Sequence, residues 1–178
     1  MIRVDSVGYS RGSERVVMGS PRKKGVASAT LTFDVMFDQD FQWVLGGKLQ
    51  GLAPKNALPG GEKRSANRWS ARIMFKEKGR CASSLYDQDL AMKWGREKTA
   101  QRSAFKTGKG QSVTLKGTLN EPRQSNGSAK ILIDGREISQ AREIEFRGVG
   151  GPNALITQFL FSTFDGGHTP QDAPIDRA

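Results

Sequence analysis

The chain has 178 residues, with 28 lysines and arginines against 18 aspartates and glutamates, for a formal net charge of +10. That length suits one domain spanning residues 1–178, and 36% hydrophobic residues spread along the chain supply one core, which excludes a disordered or fibrous polypeptide. One cysteine, Cys81, and one histidine, His168, exclude an intrachain disulfide and a zinc site of several Cys or His ligands, and no apolar run approaches the roughly 20 residues of a membrane-crossing helix.

In chain order, residues 1–9 lack the apolar centre of a leader peptide, which leaves a cytosolic protein or a mature fragment without its leader. The basic triplet Arg22-Lys23-Lys24 reads as a solvated loop. Between residues 29 and 37, Leu31, Phe33, Val35 and Phe37 alternate with Thr30, Thr32, Asp34 and Met36, a period of two that predicts a half-buried strand. The segment 41–52 is strand-like and interrupted by Gly46-Gly47, a pair that lets the backbone bend or another group come close. Alternation returns at 69–75, where Trp69, Ala71, Ile73 and Phe75 form a core face and Ser70, Arg72 and Met74 a wet one.

Further strands are predicted at 82–86, 112–119, 129–133, 142–147 and 155–164, each bounded by Gly, Pro, Asn or Asp, with Asp134-Gly135 as a tight hairpin. The stretch 90–106 is polar with scattered apolar positions and reads as a loop or an irregular strand pair. The tail 165–178, rich in Gly and Pro, holds His168, which reads as a turn residue and not as a general base. Many short strands with Gly-rich turns predict an all-β sandwich or barrel.

Excess positive charge points to an anionic partner: nucleic acid, an acidic membrane surface or an acidic polysaccharide. No RNA-binding aromatic signature, recognition helix or zinc module is present, and the aromatics fall mostly on core-facing parity, which argues against nucleic acid. The region with chemistry begins at Lys48, a cation placed inside an apolar, strand-like segment just after two glycines. Ser70 and Arg72 follow on the polar face of their strand, and Tyr86 shares strand parity with Ser84 and Gln88. If these strands are neighbours, their polar faces line one groove.

Three segments carry a resemblance. Gly46-Gly47-Lys48-Leu49-Gln50-Gly51-Leu52 resembles the Gly-Gly-Lys-Leu-Pro-Gly-Leu motif of polysaccharide lyase family 14, the alginate and glucuronan lyases. Trp69-Ser70-Ala71-Arg72-Ile73-Met74-Phe75 is similar to that family's Ser-x-Arg strand, and Phe161-Ser162-Thr163-Phe164-Asp165-Gly166-Gly167 to its Phe-x-Thr-Phe-Phe-Gly-Gly run. The resemblance extends from the turn at residues 9–13 to the tail. It implies a β-jelly roll, two antiparallel sheets with a concave substrate groove, and cleavage of a polyuronate by β-elimination with neither metal nor other cofactor.

Carried over residue by residue, the resemblance gives Lys48, Arg72 and Tyr86 as catalytic. Ser84 stands where the family has the first tyrosine of a Tyr-x-Tyr pair, and Gln50 where it has proline. Ser70, Ser84, Gln88 and Gln158 are the expected sugar contacts. The expected partner is an acidic polysaccharide, with no nucleic acid and no membrane, bound by a monomer outside the cell or in a periplasm. A non-catalytic carbohydrate-binding module on the same scaffold is the alternative.

Chemically, a proton α to a carboxylate is weakly acidic because its removal adds negative charge beside an anion, so aimed cations stabilise the transition state more than the ground state. Arg72 would grip the carboxylate through two hydrogen bonds and Lys48 would add a compact charge. Tyr86 is the expected base, its pKa lowered from about 10 by the two cations beside it, and the same phenol is expected to return a proton to the leaving oxygen.

Overall fold

A computed structural model describes residues 2–5, 16–59, 61–88, 94–166 and 169–172. The turn at 9–13, residues 90–93, Gly167, His168 and residues 173–178 lie outside the described residues.

Ten strands build two antiparallel sheets: β1 (Val16–Val26), β2 (Ser28–Met36), β3 (Gly46–Ala53), β4 (Ser70–Lys76), β5 (Arg80–Tyr86), β6 (Arg96–Ser103), β7 (Gly110–Thr118), β8 (Gly127–Ile133), β9 (Arg136–Ile144) and β10 (Ile156–Asp165). The six-stranded sheet runs β1-β10-β3-β4-β5-β6 and the four-stranded sheet β2-β7-β8-β9. This is the all-β sandwich that the strand pattern predicts and the jelly roll that the resemblance implies. Helix is confined to three single turns of 3-10 type among the described residues.

Alternation explains the four-stranded sheet. Val113 and Leu115 of β7 and Ala129, Ile131 and Ile133 of β8 point inward and are buried, while Thr114, Lys116 and Lys130 point out. They meet Leu52, Trp69, Ile73, Phe75 and Leu85 of the other sheet in one core. At one end Phe37, Phe41, Trp43, Phe75 and Phe105 form one aromatic cluster, with Phe37 and Trp43 centroids 4.7 Å apart in a tilted pair and Trp43 stacked on Phe105. The Trp69 indole N–H donates to the Ala154 carbonyl at 2.9 Å, so its one polar atom is satisfied inside the core.

The Asp134-Gly135 hairpin joins β8 and β9 with φ of 51° and 77°, the two positive values that a turn matched to strand twist requires. Its Asp134 carboxylate accepts from the Ser112 N–H at 2.9 Å, which holds its pKa low.

Four expectations change. Arg22-Lys23-Lys24 belongs to β1, an edge strand, and the stretch 90–106 contains β6, the opposite edge. The strand expected at 142–147 is β9, which begins at Arg136 and ends at Ile144. The outer face of β4 is not wet: Ser70, Arg72 and Met74 are 0%, 6% and 5% exposed. β4 lies inside the six-stranded sheet, and the connection from β3 folds back on it, with Ser70 Oγ donating to the Leu58 carbonyl at 2.9 Å.

Leu115 is fully buried between the sheets. Leu115→Ala is expected to lower stability by about 3 kcal/mol, read as a lower urea midpoint with unchanged m value; an unchanged midpoint would place the core elsewhere.

Candidate active site

The site starts from the glycines of β3. Gly46 has φ of +134°, a conformation that L side chains rarely adopt. A Cβ on Gly47 would lie 2.3 Å from Phe75 Cζ and 2.4 Å from the Phe164 carbonyl oxygen, so this position admits only hydrogen. A Cβ on Gly51 would lie 2.4 Å from the Ala71 carbonyl oxygen and 2.8 Å from Arg72 Cγ. Gly51 therefore leaves the space across which the Arg72 side chain lies.

Between these glycines the register shifts. Lys48 pairs with Met74 and Gly51 with Arg72, so β3 carries one extra residue over this interval. In a regular strand Lys48 and Gly51, three apart, would face opposite ways. The bulge puts both on the outer face with Arg72 and Met74, the local re-aiming that bulges produce. Across β4 and β5, Arg72 pairs with Ser84 and Ser70 with Tyr86, which completes a patch of Lys48, Arg72, Ser84 and Tyr86 on that face.

The contacts are specific. Lys48 Nζ donates to Ser84 Oγ at 2.6 Å and sits 3.1 Å from Met74 Sδ. It also lies 5.8 Å from the centroid of the Tyr86 ring. The guanidinium of Arg72 makes no hydrogen bond or ion pair among the described residues, and its Nε is buried without a partner. Such a group is costly to hold in place, because buried charges are normally paired.

Burial governs the titration of the patch. Lys48 is pushed down to about 8, first by burial of its ammonium, with Arg72 and Lys76 lowering it further and Glu97 opposing them. Burial also lowers Arg72, against the raising influence of Tyr86. Tyr86, only 5% exposed, is raised by burial, and Glu97 adds to the rise while Arg72 and Arg64 oppose it. The expectation that neighbouring cations would lower the phenol is thus reversed, since desolvation of the phenolate outweighs them.

The remaining expected sugar contacts are taken up by backbone carbonyls. Ser70 is occupied by Leu58. Gln88 Nε2 donates to the Phe146 carbonyl at 3.0 Å, and Gln158 Nε2 to the Pro54 carbonyl at 2.6 Å and the Lys55 carbonyl at 3.1 Å. Ser84 is the one that joins Lys48 directly.

Sequence reasoning missed several charges. Asp87, next to Tyr86 and 1% exposed, is held between Arg64 at 3.5 Å and Arg96 at 3.2 Å, and Arg64 also donates to the Asp87 carbonyl. Lys76 pairs with Glu97 at 3.2 Å. The only available signals were the Tyr86-Asp87 adjacency and the mixed charge of Arg96-Glu97-Lys98, which resembles an ordinary solvated loop. No three His, Cys, Asp or Glu side chains among the described residues converge as metal ligands.

Known proteins share this arrangement of strands. The family model described as polysaccharide lyase 14 matches residues 15–177. A double mutant of alginate lyase Aly36B in complex with alginate tetrasaccharide is 20% identical, over 92% of this chain and 77% of that one, with a TM-score of 0.75. The alginate lyase from Aplysia kurodai is 21% identical, over 91% and 76% of the two chains, with a TM-score of 0.70. An endo-β-1,4-glucuronan lyase from the fungus Trichoderma reesei is 17% identical, over 89% and 66%, with a TM-score of 0.53. No curated protein matches the chain in sequence. At these identities the structural likeness is one of fold.

The side-chain amine of Lys48, followed by NMR, is expected to titrate near pH 8. The unfolded chain keeps this proton up to the ordinary 10.5, so between the two values the unfolded state binds more protons and this group's contribution to stability rises with pH. A midpoint at 10.5 would contradict the burial assigned to Nζ.

Proposed function

The chain belongs to the polysaccharide lyase 14 family, and from that premise we propose that it is a polyuronate lyase that cleaves an alginate- or glucuronan-type chain by β-elimination. The observation that carries the reading is Arg72: a buried guanidinium, unpaired among the described residues, on an outer sheet face beside a lysine and a phenol. A uronate carboxylate supplies the missing partner, through two parallel hydrogen bonds.

The order of pKa values divides the chemistry. With the Arg72 guanidinium drawing charge toward the carboxylate, the sugar C5 proton becomes removable. Near neutrality a fraction of Lys48 is the free amine, whereas Tyr86 holds its proton. Carboxylate binding also offsets the charge of Arg72, which keeps the phenol protonated. The Lys48 amine therefore takes the C5 proton and becomes ammonium, the C4–C5 double bond forms, and the C4–oxygen bond breaks. Tyr86 donates its proton to the departing oxygen and recovers one from solvent or from Lys48. This moves the base from Tyr86, expected from sequence to serve as both base and acid, to Lys48, and leaves the phenol as the acid alone.

Ser84 stands at the first tyrosine position of the family's pair and holds Lys48 at 2.6 Å, so the departure from the motif is used by the site. The same departure favours the second reading, a non-catalytic module for acidic polysaccharide. A polymeric substrate fits an extracellular or periplasmic setting, and a monomer is the expected state.

Incubation with alginate or glucuronan is expected to produce unsaturated sugar ends, read as rising ultraviolet absorbance. Binding without that rise would support the module. Lys48→Ala and Tyr86→Phe should each lower kcat by about 10²- to 10⁴-fold. The activity of the unmodified enzyme should rise with pH through a limb near 8, the Lys48 value; a limb above 10 would return the base to Tyr86.

A further inference from the structure

The outer face of the six-stranded sheet ends in an anion. Register places Gly51, Arg72, Ser84 and Glu97 in one row across β3, β4, β5 and β6. Strands lie about 4.8 Å apart, so Glu97 is on the order of 10 Å from Arg72, a span of about two sugar rings. Glu97 is on the groove side of β6, as its ion pair with Lys76 of β4 at 3.2 Å confirms. A polyuronate laid along this row brings one carboxylate to Arg72 and another toward Glu97.

Glu97 is also coupled to the reacting groups. It is the cross-strand partner of Ser84, which accepts the Lys48 hydrogen bond. Lys48 faces Arg72, Met74 and Lys76 on β4, Ser84 and Tyr86 on β5, and Phe164 on β10. Glu97 is the anion among the charged groups acting on it.

Building on the lyase reading, we propose that Glu97 is a specificity-determining residue: its carboxylate occupies Lys76 and bars a uronate carboxylate from the sugar position at the β6 edge, which therefore accepts a neutral sugar face. Like charges facing each other suppress the wrong ligand, and the Lys76 pair keeps the carboxylate in place without adding a free cation to that end. The groove is thus polarised, with the bare guanidinium at Arg72 and a neutralised pair at the far end of the row.

The test uses the full chain with Lys48→Ala in the background, so that oligomers stay intact, and compares K48A with K48A/E97Q by calorimetry. A uronate homo-oligomer should bind about three- to fivefold more tightly to the double variant, with the difference shrinking as salt rises. An oligomer of the same length with its carboxyls reduced to alcohols should bind both proteins equally. In the Lys48 enzyme, E97Q should also move the rising limb of kcat/KM to lower pH, because removing an anion disfavours the ammonium of Lys48, a shift that a purely structural role would not cause. Equal uronate affinity for the two proteins, or an equal gain for the reduced oligomer, overturns the proposal whether or not turnover is seen. Tighter binding by E97Q with no turnover by the unmodified enzyme sinks the lyase reading and leaves the assignment of Glu97 standing.

Discussion

The site depends on a buried guanidinium that none of the described residues pairs. Arg72 is 6% exposed, its Nε has no partner, and burial already works against its charge. A protein selected only for stability would pair such a group or replace it. The surrounding structure is arranged to keep it bare: Gly51 gives up a side chain so that Arg72 can lie over β3, and the neighbouring bulge turns Lys48 to the same face. The nearby acid Asp87 is taken up by Arg64 and Arg96, and Glu97 by Lys76, so neither carboxylate quenches the guanidinium.

One depth of burial acts oppositely on two kinds of acid. It disfavours the ammonium of Lys48 and the phenolate of Tyr86, so a lysine that is ordinarily charged moves toward neutrality while a phenol stays protonated. A lysine that can give up its proton and a phenol that keeps its own thus stand on one face. The Ser84 hydroxyl and the Met74 sulfur fix the position of Nζ without giving it a full counter-charge, which a carboxylate in either place would have done. The field of Glu97, one strand further out, tempers this by favouring the ammonium.

Strands with an inner face were legible as alternation: residues 29–37 and 112–119 anticipate β2 and β7 closely, because one face of each meets the core and the other meets solvent. β1 and β6 are edge strands, largely exposed along their length, so their sequences carry no parity to read. Polarity marked the outer face of β4 correctly but could not report that a returning segment packs against it at Ser70. In the same way, Ser70, Gln88 and Gln158 have the chemistry of sugar ligands, yet backbone carbonyls satisfy them, and only coordinates separate those two uses. The Tyr86 phenol is raised where the sequence leads one to expect it lowered, for one cause: charges can be counted from sequence, but depth cannot. Gln50, where the family has proline, is half-buried with its Oε1 unpartnered, and nothing in the structure explains it.

The most direct test is a crystal structure of the Lys48→Ala protein soaked with a uronate oligomer. The account predicts one sugar carboxylate bound by two guanidinium nitrogens of Arg72, with the glycosidic oxygen at C4 facing the Tyr86 hydroxyl. An oligomer seated elsewhere, with Arg72 still bare, would contradict it.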